Sequence, residues 1–293
     1  MALQYKMSKF RECSVSVYSE TEEKIERKKS KSVAMILFGI NTIPLINAML
    51  VLVQFALKAD LNCTPGMVSL ISTPTSDRFT AALRLAPPFF IYYPLNRYFR
   101  CTIYADAFYR ILFNMLCRGY SRMVLDYDER INEDRILLVF RSLMRDAEEP
   151  LTSGLVVLPH ENQVVAEIDY RYFFSIDSEK FAHIVTELHF FYDTIHVTMT
   201  DSQVKFALGA IEIVLTKEEN ECIIGRIGEE EETHFEIYVN PKKFFYLLPA
   251  RSKRVWFFKS LEYSTGSVGT IIAAPIGLYA QMWVFFPHET PQN

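Results

Sequence analysis

The sequence has little that would support metal or redox chemistry. Its five cysteines show no C-x-x-C spacing, their number is odd, and no secretory signal with a cleavage site opens the chain. These absences argue against a disulfide framework and a zinc site, and they favour a reducing compartment. The cysteines are Cys13, Cys63, Cys101, Cys117 and Cys222.

Catalytic motifs are also missing. The six histidines lack H-E-x-x-H spacing and an obvious nucleophile partner, and residues 266–269 (GSVG) lack the Gly-Lys-Ser/Thr of a phosphate loop. Carboxylates cluster around a predicted hairpin turn and in the acidic run 229–232. In both places, exposure to solvent explains the acidic residues better than a two-metal catalytic site does. We therefore predict a protein without enzymatic activity, metal or cofactor. The turn carboxylates are Asp126, Asp128, Glu129, Glu133 and Asp134, and the histidines are His160, His183, His189, His196, His234 and His288.

Positive charge is scarce for a protein that would bind nucleic acid over its whole surface. The chain has 31 Lys and Arg against 35 Asp and Glu, a formal net charge of −4. Any DNA-binding surface therefore has to be local. With 293 residues, 50% of them hydrophobic, the chain can bury a large core and has room for two domains.

One uncharged run, residues 33–57, follows the basic residues 28–31 and has the length of a membrane span. Gly39, Asn41 and Pro44 interrupt it. A breaker, a cap and a proline near a helix start favour a division into a strand over 33–40 and a helix over 42–55. A membrane anchor at 33–57 stays an alternative.

Residues 76–116 show the clearest change in the spacing of apolar residues, from a strand-like to a helix-like period. A strand over 78–85 is predicted to stop at Pro87 and Pro88, which lack the N–H groups that a sheet needs. After a second strand over 100–104, apolar side chains follow at i, i+3, i+4 and i+7, which predicts a helix over 105–117. The apolar stripe is Phe108, Ile111, Leu112 and Met115, and Arg110, Asn114 and Arg118 lie opposite.

A unit of one strand, one helix and two or three further strands recurs four times along the chain, with two further strands in the second unit and three in the others. The helices are predicted to start near residues 42, 106, 178 and 241. Asp177 or Ser178 can cap the third helix, and Asn240 followed by Pro241 is typical of a helix start. This pattern predicts an α+β fold of two similar domains, each with two helices packed on antiparallel sheets. The expected divisions are a charged, disordered extension 1–32, an N-terminal domain 33–142, a connector 143–168 with a short strand of its own, a C-terminal domain 169–287 and a short tail 288–293.

This order of elements resembles the sliding clamps typified by proliferating cell nuclear antigen, over roughly residues 33–287. Short strings narrow the resemblance: APPFF at 86–90, the Arg100-Cys101 start of the next strand, and FEIYVNPKKFFYLL from Phe235 are similar to the Rad-nine family of DNA-damage checkpoint clamp subunits. The resemblance implies a sliding-clamp fold and a nuclear, non-enzymatic subunit of a heterotrimeric ring. Its partners would be Rad-one-like and Hus-one-like subunits, a clamp loader, double-stranded DNA without sequence preference, and checkpoint and repair proteins.

Two features depart from the family pattern. Members usually carry a long phosphorylated tail after the clamp region, whereas this sequence stops at residues 288–293, and the extension 1–32 has no familiar counterpart. Because nuclease activity has been attributed to the family, a 3′–5′ exonuclease on the same fold is a second hypothesis. A membrane-tethered protein, anchored by 33–57, is the third.

Two candidate surfaces follow from the clamp resemblance. Basic residues on the exposed helix faces would attract DNA phosphates without reading sequence, although the first helix could contribute only Asn47 and Gln54. Partner peptides would bind a groove under the connector, unless its apolar residues belong to the core. The DNA-binding candidates are Arg110, Arg118, Lys180, Lys242, Lys243 and Arg251, and the groove candidates are Val156, Val157, Leu158, Phe285, Phe286 and Pro287, next to Trp283 and Val284.

Overall fold

A computed structural model gives the architecture of most of the chain. It describes residues 33–37, 42–54, 56–73, 79–90, 98–127, 134–142, 151–163, 165–188, 194–226, 232–239, 242–261 and 268–287. The predicted extension 1–32 and tail 288–293 lie outside the described residues. Within them the fold is α+β and consists mostly of antiparallel sheet.

The first half of the chain contains two successive units of one strand, one helix and three strands. Its elements are β1 (Val33–Leu37), α1 (Thr42–Leu52), β2 (Lys58–Thr64), β3 (Met67–Ser72), β4 (Thr80–Leu85), β5 (Phe99–Tyr104), α2 (Ala105–Cys117), β6 (Tyr120–Tyr127), β7 (Arg135–Ser142) and β8 (Leu151–Leu158). The bounds of α2 are those that its apolar spacing predicts. β8 begins earlier than the apolar residues of the predicted connector indicate.

The second half follows the same plan with one additional strand, β13. Its elements are β9 (Ile168–Asp177), α3 (Ser178–Leu188), β10 (Thr194–Met199), β11 (Gln203–Leu208), β12 (Ile211–Thr216), β13 (Cys222–Arg226), β14 (Thr233–Tyr238), α4 (Lys242–Leu247), β15 (Arg254–Ser260), β16 (Gly269–Pro275) and β17 (Ala280–Pro287). Short 3-10 turns lie at Pro87–Phe89 and Pro249–Arg251. β4 ends at Leu85, one residue before the two prolines, as predicted.

Strand order repeats between the two halves. In the first half the strands lie in the orders β1-β6-β7-β8 and β5-β2-β3-β4, and in the second half β9-β15-β16-β17 and β14-β10-β11-β12 take the corresponding places. Antiparallel pairing of β4 with β17 joins the halves into one 13-stranded sheet, while β12, β11, β10 and β14 form a separate four-stranded sheet. β4 corresponds to β12, and β8 corresponds to β17.

The four helices contribute to one continuous core. Phe108 and Leu112 of α2 and Phe181 and Val185 of α3 are buried in the same cluster, so the stripes that helical spacing predicts do face the sheets. α1 packs against α2 and α4, and α3 packs against α4. The helices therefore form a connected layer on one face of the sheets.

Aromatic rings fill the centre of the second half. Phe174 of β9 stacks on Phe257 of β15 with ring centroids 4.3 Å apart and an interplanar angle of 6°. Phe206 and Phe235 meet the Phe174 ring edge-on, at 5.9 and 5.2 Å. All four side chains are buried, so this cluster accounts for four of the 23 phenylalanines of the sequence.

The uncharged run near the start of the chain is divided between two elements. It contains β1 and the 11-residue helix α1, while residues 38–41 and 55 lie outside the described part. Among the described helices, none combines the length and hydrophobicity that a bilayer crossing needs.

Candidate functional site

Three of the predicted DNA-binding residues are exposed on the helix layer or directly after it. Arg110 points to solvent from α2 and makes an ion pair with Asp106 one turn earlier, which raises the pKa of the arginine. Arg118 follows the last turn of α2 and is exposed, with its backbone N–H bonded to the carbonyl oxygen of Asn114 at 3.2 Å. Arg251 is exposed in the 3-10 turn after α4. These side chains can reach a ligand on the helix side.

The other three candidates contribute less to the described surface. The Lys180 ammonium binds the carboxylate of Glu221, and this hydrogen bond holds the pKa of Glu221 below its usual range. Lys242 and Lys243 lie in α4, but their side chains are outside the described part of the chain. Glu179 and Glu187 are exposed on α3, so the helix layer carries both signs of charge.

The two polar residues predicted to contribute from the first helix are only partly exposed. Gln54 lies two residues after the end of α1, and its amide donates a hydrogen bond to the carbonyl oxygen of Leu50 at 3.1 Å. Asn47 of α1 is half-buried. A DNA surface on the described helices would therefore depend on α2 and on the turn after α4.

The structure does not bring the predicted walls of the peptide groove together. β8, with Val156, is separated in the sheet from β17 by β5, β2, β3 and β4. Phe286 is 2% exposed and packs in the main core beside Phe79, with ring centroids 5.8 Å apart. Since successive side chains of a strand point to opposite faces, Phe285 lies on the other face, in a second apolar cluster. Of the remaining candidates, Val157 and Leu158 are half-buried and Pro287 is exposed.

The connector covers this second apolar cluster with different residues. Ala166 and Ile168, the latter at the start of β9, are buried in the same cluster as Trp283 and Phe285, and Val165 packs against this cluster. The short apolar pair at residues 165–166 was the signal in the sequence, but the prediction assigned the groove to residues 156–158 instead. The second cluster, which lies on the sheet face opposite the helices, consists of Ala82, Ala166, Ile168, Phe258, Ile271, Ala273, Trp283 and Phe285.

A row of aromatic rings continues from the second apolar cluster across β9 and β15. The rings of Phe173 and Trp256 lie 5.9 Å apart, and both are only partly buried. Tyr170 is 66% exposed and meets Phe258 edge-on at 5.7 Å. This surface offers apolar contacts next to the covered cluster.

The acidic residues proposed for nuclease chemistry do not form a described metal site. Asp134 lies 3.8 Å from the Arg135 side chain, and Glu232 lies 3.9 Å from His234. Asp126 is partly buried in β6, and residues 128–133 and 227–231 lie outside the described part. Among the described residues, no group of three or more His, Cys, Asp or Glu could hold a metal ion.

Two strand edges stand out in the described sheets. β12 is the last strand of the four-stranded sheet and pairs with β11 on one side. Residues 151–156 of β8 pair with β7, whereas Val157 and Leu158 cross to β5. Ile211 and Val214 on β12 are 45% and 44% exposed. Both edges therefore present backbone groups that a further strand could pair with.

Comparison with known proteins gives no family assignment. No protein-family model matches the chain, and no curated protein matches its sequence significantly.

Proposed function

We propose that the chain is a subunit of a ring-shaped sliding clamp of the checkpoint type, which encircles double-stranded DNA and acts as a scaffold rather than as an enzyme. The observation that carries the proposal is the pairing of β4 with β17 inside the chain. The corresponding strands of the opposite halves are β12, which ends its sheet, and β8, whose residues 151–156 pair only with β7 in the described sheet. The same pairing between neighbouring subunits would use both edges.

Such an interface is head-to-tail, because β12 of one subunit would pair with β8 of the next. Head-to-tail interfaces close into rings when the rotation between subunits allows it. The internal junction provides the template: β4 and β17 pair from Leu85 opposite Ala280 to Thr80 opposite Phe285. Edge strands with exposed Ile211 and Val214 would gain apolar contacts as well as hydrogen bonds from this closure.

In the proposed ring the helix layer faces the hole and the large sheets face outward. Arg110, Arg118 and Arg251 would then lie near the DNA backbone. Their contacts would be electrostatic and independent of sequence. The net charge of −4 is compatible with this arrangement, because only the inner face has to be basic.

The checkpoint type is proposed from the sequence strings at 86–90, 100–101 and from 235 onward. It implies Rad-one-like and Hus-one-like neighbours, a clamp loader and a nuclear location. We further propose that checkpoint and repair proteins bind at the second apolar cluster, which contains Trp283, Phe285 and the connector residue Ala166. This replaces the groove walls that the sequence predicted.

Subunit pairing can be tested with Val214→Lys, which places a charge on the exposed edge of β12. Purification of the chain from cells should recover two other clamp-fold subunits in equal amounts, and the substitution should abolish recovery of the subunit that pairs with β12. The matched control is Leu278→Lys, since Leu278 is 92% exposed in the turn between β16 and β17, away from both edges. Recovery of the same partners with both variants, or a monodisperse free monomer at micromolar concentration, would contradict the ring.

DNA encirclement can be tested on the assembled complex by replacing Arg110, Arg118 and Arg251 together with Glu. Retention on DNA should shorten, and the slope of log affinity against log salt should fall by about 0.9 for each phosphate that the complex no longer neutralises. The control triple variant replaces Arg100, Arg135 and Arg141, whose strand positions alternate with core residues and so face away from the helices. If the helix-face variant assembles and keeps its salt slope, the helices do not face DNA.

A further inference from the structure

A completely buried carboxylate lies beneath the connector. Asp60 of β2 is 0% exposed, and its strand neighbours Ala59 and Leu61 belong to the main core, so its side chain points to the sheet face opposite the helices. The hydroxyl of Thr102, opposite Asp60 on β5, donates a hydrogen bond to the carboxylate. A buried carboxylate is costly unless it is fully hydrogen-bonded.

The connector backbone supplies the remaining donors. The N–H of Gln163 donates to Asp60 Oδ2 at 2.8 Å, and the N–H of Glu161 is shared between Asp60 Oδ1 at 3.3 Å and the Thr102 hydroxyl oxygen at 3.2 Å. Between them Asn162 has a φ of 57°, a left-handed conformation that asparagine tolerates better than most residues. This turn directs two N–H groups at one carboxylate, as in the backbone nests that bind anions. Asp60 therefore attaches the connector backbone to the sheet.

His160 adds a titratable group to the same cluster. Its Nε2 lies 2.8 Å from Asn62 Oδ1 and 3.4 Å from Asp60 Oδ2. In the neutral ring, Nδ1 accepts the N–H of Asn162 at 3.1 Å. In the protonated ring, Nδ1–H can instead donate to Asn162 Oδ1, which is 2.8 Å away. The ring has partners in both states, and protonation adds a positive charge beside the buried carboxylate.

The other charged groups around His160 do not compensate for Asp60. Lys58 makes its ion pair with Glu161 at 3.2 Å, at the edge of the cluster. Arg100 is exposed and lies opposite Asn62 in the pairing of β2 with β5. Among the described residues, Asp60 has no ion pair with a lysine or an arginine. The buried carboxylate also helps to raise the pKa of the neighbouring Cys101 thiol to about 12, after the larger effect of burial.

We propose that Asp60, Thr102 and residues 160–163 form a clasp, which holds the connector on the sheet and thereby keeps the second apolar cluster covered. Opening of the clasp makes Trp283 and Phe285 more accessible. The clasp would regulate the partner-binding surface suggested above, so this consequence rests on the proposed function, whereas the clasp itself does not.

The first test is hydrogen exchange of the Glu161 and Gln163 amides in the full chain, read by mass spectrometry of the peptide that contains them. Asp60→Asn should accelerate exchange by about tenfold or more, because the nest loses its anion while the shape of the side chain is kept. Asp134→Asn, in an exposed turn, is the matched control and should leave this peptide unchanged. Equal protection in Asp60→Asn and the parent chain would overturn the clasp.

The second test uses His160→Ala, which removes the ring and its contact with Asn62 Oδ1. Exchange of the 160–163 peptide should accelerate in this variant as well. The variant alters a partly exposed side chain, so it decides the question even if Asp60→Asn fails to fold. Unchanged exchange in His160→Ala would overturn the role of His160.

A third measurement follows the cover over the second apolar cluster. Binding of the dye 1-anilinonaphthalene-8-sulfonate should be stronger in Asp60→Asn than in the parent chain, because a lifted connector exposes Trp283 and Phe285. All three experiments measure this chain's own connector, in the full chain as it is purified, alone or with partners, so they can succeed even if the clamp function is wrong. Faster exchange without stronger dye binding would show that the clasp does not control the cluster, and would overturn the regulatory part.

Discussion

The guanidinium carbon of Arg84 lies 3.8 Å from the ring centroid of Trp283. Arg84 belongs to β4 and Trp283 to β17, so this cation–π contact spans the two strands that join the halves of the chain. The indole N–H of Trp283 donates to Gln281 Oε1 at 3.0 Å, which leaves its face to the arginine. Burial lowers the pKa of Arg84, and the ring face supplies part of the stabilisation that water provides in exposed arginines.

Arg84→Ala should therefore weaken the junction of the halves. We expect the free energy of unfolding to fall by about 1–2 kcal/mol, since the substitution removes both a partly desolvated cation–π interaction and the packing of the arginine stem. Arg84→Lys should have an intermediate effect. Urea denaturation provides the measurement, and Arg141→Ala, at an exposed position of β7, should change the free energy by less than about 0.5 kcal/mol. Equal effects of the two alanine variants would show that the cation–π interaction contributes nothing.

A second prediction concerns the aromatic row on β9 and β15. A Cβ atom added to Gly225 of β13 would lie 2.1 Å from Cζ of Phe173, so the phenylalanine ring lies directly over the glycine. Gly225→Ala should displace the ring and destabilise the protein by about 1–3 kcal/mol. Gly66→Ala is the control, because a Cβ there meets nothing within 4 Å.

A double variant tests whether the Phe173 ring causes the destabilisation by Gly225→Ala. In a Phe173→Ala background, Gly225→Ala should cost much less than it does alone, because the ring that it displaces is gone. Additive effects in this cycle would mean that Gly225 is required for another reason.

The third prediction concerns Phe174 at the centre of the second half. Phe174→Ala should lower the free energy of unfolding by about 3–5 kcal/mol, as removal of a buried phenylalanine does when the cavity cannot collapse. The stacked Phe257 ring and the edge-on neighbours would all face the empty space that the substitution leaves. Phe113→Ala, at a position that is 46% exposed on α2, should cost far less in the same calorimetric or denaturant measurement.

The cysteines give a prediction about pH. Burial raises the pKa of the Cys63 and Cys101 thiols from 9.0 to about 12. At pH values between these two numbers, both thiols are protonated in the folded protein but ionised in the unfolded chain. This stabilisation is complete below pH 9.0 and is lost as pH rises through about 12. Replacing both cysteines with Ala should therefore flatten the alkaline part of the stability curve between these values.

Thiol reactivity under native conditions tests whether the buried cysteines stay protonated and inaccessible in the folded protein. A maleimide at about pH 8 should modify Cys117, which is exposed, and leave Cys63 and Cys101 intact. Mass mapping after digestion distinguishes the sites. Modification of Cys63 or Cys101 at the rate of Cys117 would show that these two strands open readily.

Local patterns predict much of the secondary structure. The spacing of Phe108, Leu112 and Met115 predicts α2 with the bounds it has, and Asp177 does cap α3, accepting the N–H of Glu179 at 2.8 Å. β13 was not predicted, because its five residues, CIIGR, include a glycine and show no clear alternation. Its place in the sheet comes from pairing with β9, which lies far away in sequence.

By itself, then, the sequence determined the order and period of the elements, because side-chain spacing, prolines and caps act within a few residues. Only the tertiary structure decided which strands are neighbours and which faces are covered. Phe285 and Phe286 form one apolar string in the sequence, yet pleating sends them to two different clusters. Asp60 has the sequence pattern of an exposed strand residue, and it is buried because N–H groups of the connector, about a hundred residues later, replace its water. Burial of this kind depends on contacts between distant segments, whose free energy no local pattern contains.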